Sequence, residues 1–257
     1  MKDKYQQPYI FNFQVVFIAN FPKEQLLNST ARKLWTEQQV SYAEHHGLDG
    51  VNFDFEEELV IESEESKAYT KLFKSTVATF HQRIPDSQVS IDVAWSPDNI
   101  DGRGYQYRAL AEAADLVFVM GYDQQSQMWQ RERCRARPNS PLIKTFSGVR
   151  KYLHLGVESQ KLVLGVPWYG YRYPCQELSA GVCYIEEVPF RGCNCTDAAG
   201  REFAYKDIIN FLKKSHTGRQ WDEVAKAPHF DYSENNQTYQ VWYDDPESLF
   251  IKYKVIP

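Results

Sequence analysis

The stretch GLDGVNFDFEEEL, residues 47–59, carries Asn52, Asp54 and Glu56 at every second position, with Val51, Phe53 and Phe55 among them. Successive side chains of a strand point to opposite faces. The spacing therefore predicts one face with an amide and two carboxyl groups, and one apolar face. Gathering carboxyl groups on an inward face is costly, and close like charges do not all ionise near neutral pH. One of them is expected to hold a proton there, as general-acid catalysis requires. Asn52 lowers the repulsion and still offers hydrogen bonds. Two other readings stand beside this one, a solvated acidic face and a divalent-metal site built from carboxylates. The interleaved Val and Phe weigh against the first, and the absence of a nearby His or second acid cluster against the second.

Such a strand needs helices against its apolar face, and the chain repeats a strand-then-helix pattern. Strands are predicted over 14–19, 49–56, 89–95, 116–122 and 162–168. Between them, helices are predicted over 30–46, 66–84 and 105–114, and from the Ser140–Pro141 cap and first-turn pair to about 155. In the first helix Leu34, Trp35 and Ala43 are the candidate inward residues. In the second, Tyr69, Leu72, Phe73, Val77, Phe80 and Ile84 form one face. Alternating strands and helices indicate a parallel sheet with right-handed crossovers. The predicted fold class is α/β, a (β/α)8 TIM-barrel type, with a doubly wound open sheet as the alternative. No Gly-rich phosphate loop follows the first strand, which argues against nucleotide binding. In a barrel, Glu56 would sit at the C-terminal end of its strand, where barrel active sites lie.

After Gly170 the pattern stops. Residues 171–240 hold four of the five cysteines, two N-x-S/T sequons and one clear helix at about 205–214. This region is read as an inserted α+β subdomain within a single catalytic domain spanning 1–257. The cysteines suggest two local disulfides and one leftover thiol, with Cys193 and Cys195 bonded elsewhere rather than to each other. A zinc site is the alternative. Asn28, Asn194 and Asn236 are the glycosylation candidates, and with the clustered cysteines they point to the secretory route. At 43% hydrophobic and 15% aromatic residues, with a formal net charge of −5, the 257-residue chain can bury a large core and shows no nucleic-acid footprint. No apolar run approaches the roughly 18 residues of a membrane span. The start of the chain makes a poor signal peptide.

These residues resemble glycoside hydrolase family 18, the chitinase family. Its signature D-x-x-D-x-D-x-E is met at Asp49, Asp54 and Glu56, three of four fixed positions, and Asn52 replaces the remaining Asp, as in one branch of the family. DVAWSP (92–97), FVMGYD (118–123), YDQQSQMW (122–129), LGVPWYGY (164–171) and VWYDDPES (241–248) agree as well. The resemblance implies substrate-assisted, retaining hydrolysis of β-1,4 linkages between N-acetylglucosamine units, as in chitooligosaccharides and the chitobiose core of N-glycans. Glu56 would protonate the glycosidic oxygen. The substrate's own acetamido carbonyl would attack, Asp54 would orient its N–H, and Tyr122 would donate to its carbonyl side. Asn52, Met120, Asp123 and Tyr169 would bind substrate. Met120 and Tyr122 also share parity on their strand, so spacing alone lets both point inward. Trp95, Trp168 and Trp242 are expected to be packing residues. No cofactor and no metal are implied. The partners would be N-acetylglucosamine oligosaccharides, with neither nucleic acid nor membrane, for a lysosomal or secretory protein that is monomeric when complete.

The family's first two strands and eighth strand have no counterpart in this reading, so the barrel is expected to be incomplete and truncated at both ends. Exposed strand edges then predict weak activity and poor solubility. Two further functions compete: an inactive or carbohydrate-binding relative, against which the retained Glu56 argues, and a metal-dependent hydrolase, which a chelator would disable.

Overall fold

A computed structural model describes residues 15–125 and 132–255. Gln14, the predicted start of the first strand, and the 126–129 end of YDQQSQMW lie outside the described residues. Five strands, β1 (Val16–Ala19), β2 (Gly50–Phe53), β3 (Gln88–Ala94), β4 (Leu116–Met120) and β5 (Leu162–Gly165), form a parallel sheet in the order β1-β2-β3-β4-β5. That order runs in one direction with no reversal. A doubly wound sheet would reverse at a switch point, so the arrangement is that of a barrel wall. The barrel is not closed: β1 and β5 are edge strands of this sheet.

The helices α1 (Ser29–His46), α2 (Glu64–Arg83), α3 (Tyr107–Ala113) and α4 (Leu142–His154) cover one face. Val51, Phe53, Val89, Ile91, Val93, Val117 and Val119 pack there with Tyr69, Leu72, Phe73, Phe80 and Tyr152 in one core. The α2 face is as the 3.6-residue period predicts. In α1 Thr36, Val40 and Ala43 are buried, and Trp35 packs against the core beside Phe53 as expected. Leu34 is 59% exposed, contrary to expectation, because the helix turns it away from the sheet. The predicted cap Ser140 is also displaced. Pro141 occupies the N-cap position, and the Ser140 hydroxyl bonds the carbonyl of Gly121.

Helix ends follow local chemistry. Asn28 Oδ1 accepts from the N–H groups of Thr30 and Ala31, both at 3.0 Å, and Gly47 closes α1 in the left-handed region at φ 64°. The opposite face of the sheet is more open. Ile18, on the edge strand, is 67% exposed. Asn52 pairs in register with Ile18 and Ser90, and Asp92 with Phe118. This is the polar face that alternation predicts.

Beyond β5 the chain builds a second, antiparallel sheet. Its strands are β6 (Tyr169–Pro174), β9 (Arg201–Ala204), β10 (Gln220–Asp222), β11 (Ala227–Glu234) and β12 (Gln237–Tyr243), in the order β10-β11-β12-β6-β9. A hairpin of β7 (Glu177–Ser179) and β8 (Val182–Tyr184) lies beside it, α5 (Tyr205–Leu212) packs on it, and α6 (Pro246–Val255) follows. Asn235 and Asn236, at φ 52° and 62°, make the turn between β11 and β12.

Cys134 bonds Cys195 and Cys175 bonds Cys183, leaving Cys193 as the free thiol. The count of two disulfides and one thiol is as expected, but Cys193, expected to be bonded, is the free one, Cys134 takes its place, and only the second disulfide is local. The first spans 61 residues and ties the loop after β4 to the second sheet's region. In the VWYDDPES motif, Asp245 Oδ1 accepts from the N–H groups of Glu247 and Ser248 to start α6, and Asp244 forms a buried ion pair with Lys252.

Candidate active site

Strand β2 is shorter than 49–56. Asn52 lies in its ladder, while Asp54 and Glu56 follow at its C-terminal end. Asp49 belongs to the scaffold: its Oδ2 accepts from the N–H of Val15 at 2.7 Å, joining the starts of β1 and β2.

Asn52 is held from both sides. Its Nδ2 donates to Asp92 Oδ2 at 2.8 Å, and its Oδ1 accepts from the Ser90 hydroxyl at 2.7 Å. The Asp54 and Glu56 carboxyl groups lie close enough to share a hydrogen bond. Burial first, then the charge of Glu56 and that bond, push the Asp54 carboxyl above its ordinary value, with Arg103 pulling the other way. Asp54 Oδ1 is buried and has no hydrogen-bond partner among the described residues. Burial also raises Asp92 to about 6; the Asn52 hydrogen bond opposes this, and the charges of Asp54 and Glu56 add to it. The ionised forms of Asp54 and Asp92 are thus both disfavoured, which favours a retained proton in the cluster.

Glu56 is more exposed than Asn52 and Asp54 and pairs with Arg103, whose side chain is only 4% exposed. Arg103 also lies 3.6 Å from Asp101. The guanidinium of Arg191 donates to the Glu56 carbonyl at 3.1 Å. A small cavity of about 190 Å3 opens against Asp54 and Glu56, with Asn20 and Phe21 from the end of β1 on its wall.

Tyr122 follows β4. Gly165 of β5 makes room for it, since a Cβ there would lie 2.4 Å from Phe118 Cζ and 3.2 Å from Tyr122 Cε1. Burial, followed by the Asp92 charge, pushes the Tyr122 hydroxyl up to about 12, so it stays a donor at neutral pH. Met120, half-buried, lies in register with Ala94 and Gly165 on the same strand. Asp123 sits at φ 52°, anchored by its N–H to Asn139 Oδ1 at 2.6 Å. Its Oδ1 accepts from the hydroxyls of Tyr169 at 2.6 Å and Tyr171 at 3.1 Å. Burial raises the Asp123 carboxyl, and those two hydroxyls oppose the rise.

Asn52, Asp54, Glu56 and Tyr122 therefore form one electrostatic cluster, with Asp123 and Tyr169 beside it. Sequence reasoning missed Asp92, Arg103, Tyr171 and Asn20. Asp92 had a signal, since it lies inside DVAWSP at the parity that faces Asn52. Arg103 had none. The glycosylation candidates lie apart: Asn28 caps α1, Asn236 is exposed in a turn, and Asn194 adjoins Cys195, its carbonyl facing the Cys134 sulfur. Trp95 and Trp242 are buried as expected. Trp168 is 51% exposed, its ring 4.4 Å from that of Tyr205 and tilted by 31°, so it is not a core residue.

The sequence matches the description of glycosyl hydrolases family 18 over residues 20–256. The chain belongs to glycosyl hydrolase family 18. It is 42% identical over 241 residues to the di-N-acetylchitobiase of Rattus norvegicus, covering 93% of this chain and 65% of that protein. The Homo sapiens di-N-acetylchitobiase gives 42% over the same share of this chain and 62% of its own length. The chain thus spans somewhat less than two thirds of these family 18 relatives. Among solved structures, a plant class V chitinase mutant from Cycas revoluta in complex with (GlcNAc)3 superposes with a TM-score of 0.72 at 18% identity, over 93% of this chain and 71% of that one. At that identity the likeness concerns the fold, and it places the open five-stranded sheet among family 18 barrels.

Proposed function

We propose that this chain carries the catalytic face of a glycosidase that hydrolyses β-1,4 linkages between N-acetylglucosamine units, as in chitooligosaccharides and the chitobiose core of N-glycans. The observation that carries the reading is the state of Asp54. Its Oδ1 is buried with no hydrogen-bond donor among the described residues, and burial and the nearby Glu56 raise the group. A buried acceptor left unpaired is costly, and a substrate acetamido N–H would satisfy it.

In the proposed reaction Glu56 gives a proton to the glycosidic oxygen as the bond to the anomeric carbon breaks. The acetamido carbonyl oxygen closes on that carbon to form an oxazolinium ring. Asp54 accepts from the acetamido N–H and balances the positive charge on the ring. Tyr122 donates to the carbonyl side and holds the group in line. Water then opens the ring with Glu56 taking its proton, so the configuration is retained. Asn52, an amide where a further carboxylate would add charge, is bonded to Asp92 and Ser90 beside this site. Met120, Asp123 and Tyr169 would border the bound sugar.

The relatives' names support the substrate class, and the Cycas revoluta chitinase mutant is described with (GlcNAc)3 bound. The sequons and disulfides favour a lysosomal or secretory setting, with Asn28 and Asn236 presented at the surface. No helix among the described residues is long and apolar enough to cross a membrane. The test is hydrolysis of di-N-acetylchitobiose and its longer oligomers by the chain and by Glu56→Gln. The reading expects cleavage by the first and binding without cleavage by the second. Equal cleavage by both would refute Glu56 as the acid, and binding without cleavage by both would favour a carbohydrate-binding role.

A further inference from the structure

The second sheet and the loop leading into α4 enclose a cavity of about 450 Å3 that shares no lining residue with the acid cluster. Arg135, Arg137 and Lys144 line it, against a single carboxylate, Asp222. That carboxylate is already engaged, accepting from the N–H groups of Val224 at 2.9 Å and Ala225 at 2.7 Å. Arg135 has Glu132 at 3.7 Å. Arg137 and Lys144 have no ion-pair partner among the described residues, and Arg137 Nε is buried without an acceptor.

One wall is aromatic. The His229 ring stacks on Trp242 with centroids 4.3 Å apart and planes 27° from parallel. Trp242 is pinned from behind by its Nε1–H donating to Gln240 Oε1 at 2.8 Å. His229 Nδ1 is buried and has no hydrogen-bond partner among the described residues.

Two half-buried cations without an ion-pair partner, with only the exposed Glu132 charge opposing that of Arg137, are a cost that folding alone does not require. Burial, and then the Arg137 charge, push the Lys144 ammonium down to about 8, which shows how poorly the pair is compensated. Burial likewise holds His229 toward its neutral form. An arriving oxyanion would offset this cost and gain charge-assisted hydrogen bonds from a guanidinium and an ammonium. The volume lies within the usual range of small-ligand sites, and the flat His229 face suits a sugar ring.

We propose that this cavity is a second ligand site, which takes an oxyanion-bearing sugar of about monosaccharide size, with its phosphate or carboxylate on Arg137 and Lys144 and its ring against His229. The site is independent of the acid cluster and stands whether or not that cluster hydrolyses anything.

The experiment is calorimetric titration of the chain with glucose 6-phosphate, glucuronate, glucose and inorganic phosphate at low salt. Saturable binding of at least one anionic sugar is expected, with glucose at least about tenfold weaker. The tighter of the two anionic sugars distinguishes phosphate from carboxylate. Arg137→Gln and Lys144→Gln should each weaken binding about tenfold or more. Val224→Glu serves as a further variant, since Val224 lines the cavity yet is 78% exposed, so a carboxylate there leaves the core intact. It should weaken binding by a similar factor. No saturable binding of either anionic sugar, or binding that all three variants leave unchanged, overturns the proposal. Inorganic phosphate binding as tightly as glucose 6-phosphate, or glucose as tightly as either anionic sugar, overturns it as well.

Discussion

The carboxylate of Glu56 is paired with the guanidinium of Arg103, a residue 47 positions away whose side chain is almost wholly buried. This contact fixes the loop that leaves β2 against the turn at Ile100–Gly102. Arg103 serves Asp101 too, at 3.6 Å, and that carboxylate's side chain is itself only 4% exposed. Removing the arginine leaves Asp101 buried beside fewer cations. Arg103→Met should therefore destabilise the fold by about 3 kcal/mol, the lower end for breaking a buried pair. Urea unfolding of the variant and the parent chain measures it, and a change within about 0.5 kcal/mol would contradict it.

Asp92 gives a pH prediction. Its folded-state value of about 6 lies above the unfolded value of 3.8, so the fold disfavours its ionised form. The penalty is absent below pH 3.8, grows as pH rises between the two values, and is complete above about 6. Asp92→Asn removes the charge and keeps an acceptor for Asn52. It should stabilise the chain at pH 8 by about 1–2 kcal/mol, after discounting for solvent contact. The gain should fade as pH falls through that window. Unfolding at pH 8, 6 and 4 tests both size and sign, and a gain that grows toward low pH would contradict the assignment.

Tyr122→Phe tests the acetamido donor. The hydroxyl stays protonated at neutral pH because burial holds it near 12. Loss of one positioned donor to developing charge costs about 100-fold in kcat. The variant should show that loss in kcat on chitooligosaccharides with little change in stability, since its ring still packs beside Gly165. A kcat within about twofold of the parent would remove Tyr122 from the reaction.

The two disulfides should differ in worth. Closing 61 residues restricts the unfolded chain more than closing 8. Chain-entropy arithmetic gives about 4 kcal/mol for the long bridge and about 2.5 kcal/mol for the short one. Cys134→Ser should lower the melting temperature more than Cys175→Ser, and the reverse order would show that native-state packing dominates the entropy.

Much of the wall of the barrel was legible in the sequence because its two periods are. Alternation in 49–56 separated Val51 and Phe53 from Asn52, and the 3.6-residue period of α2 named its buried face. Where local signals end, the reading ended too. The two-residue period carried the predicted strand on to Glu56, but the ladder with β3 stops at Phe53. Leu34 looked inward because it is apolar, yet the buried face of α1 carries Thr36 and Val40 instead. Cys134 lies far from the cysteine cluster, and only the folded loop brings it to Cys195. Arg103 reaches Glu56, and Tyr171 reaches Asp123, across the fold rather than along a strand. Such contacts leave no spacing pattern. The VWYDDPES segment shows the opposite case, a family motif whose acids cap α6 and pair with Lys252 instead of facing the site.

In the proposed reaction the substrate's own acetamido group, held by Asp54 and Tyr122, is the nucleophile. The most direct measurement compares hydrolysis of tri-N-acetylchitotriose with that of its fully de-N-acetylated counterpart, with the anomer of the first product followed by NMR. The account predicts cleavage of the acetylated trimer with retention, and no detectable cleavage of the other. Comparable cleavage of both, inversion at the anomeric carbon, or no cleavage of either would contradict it.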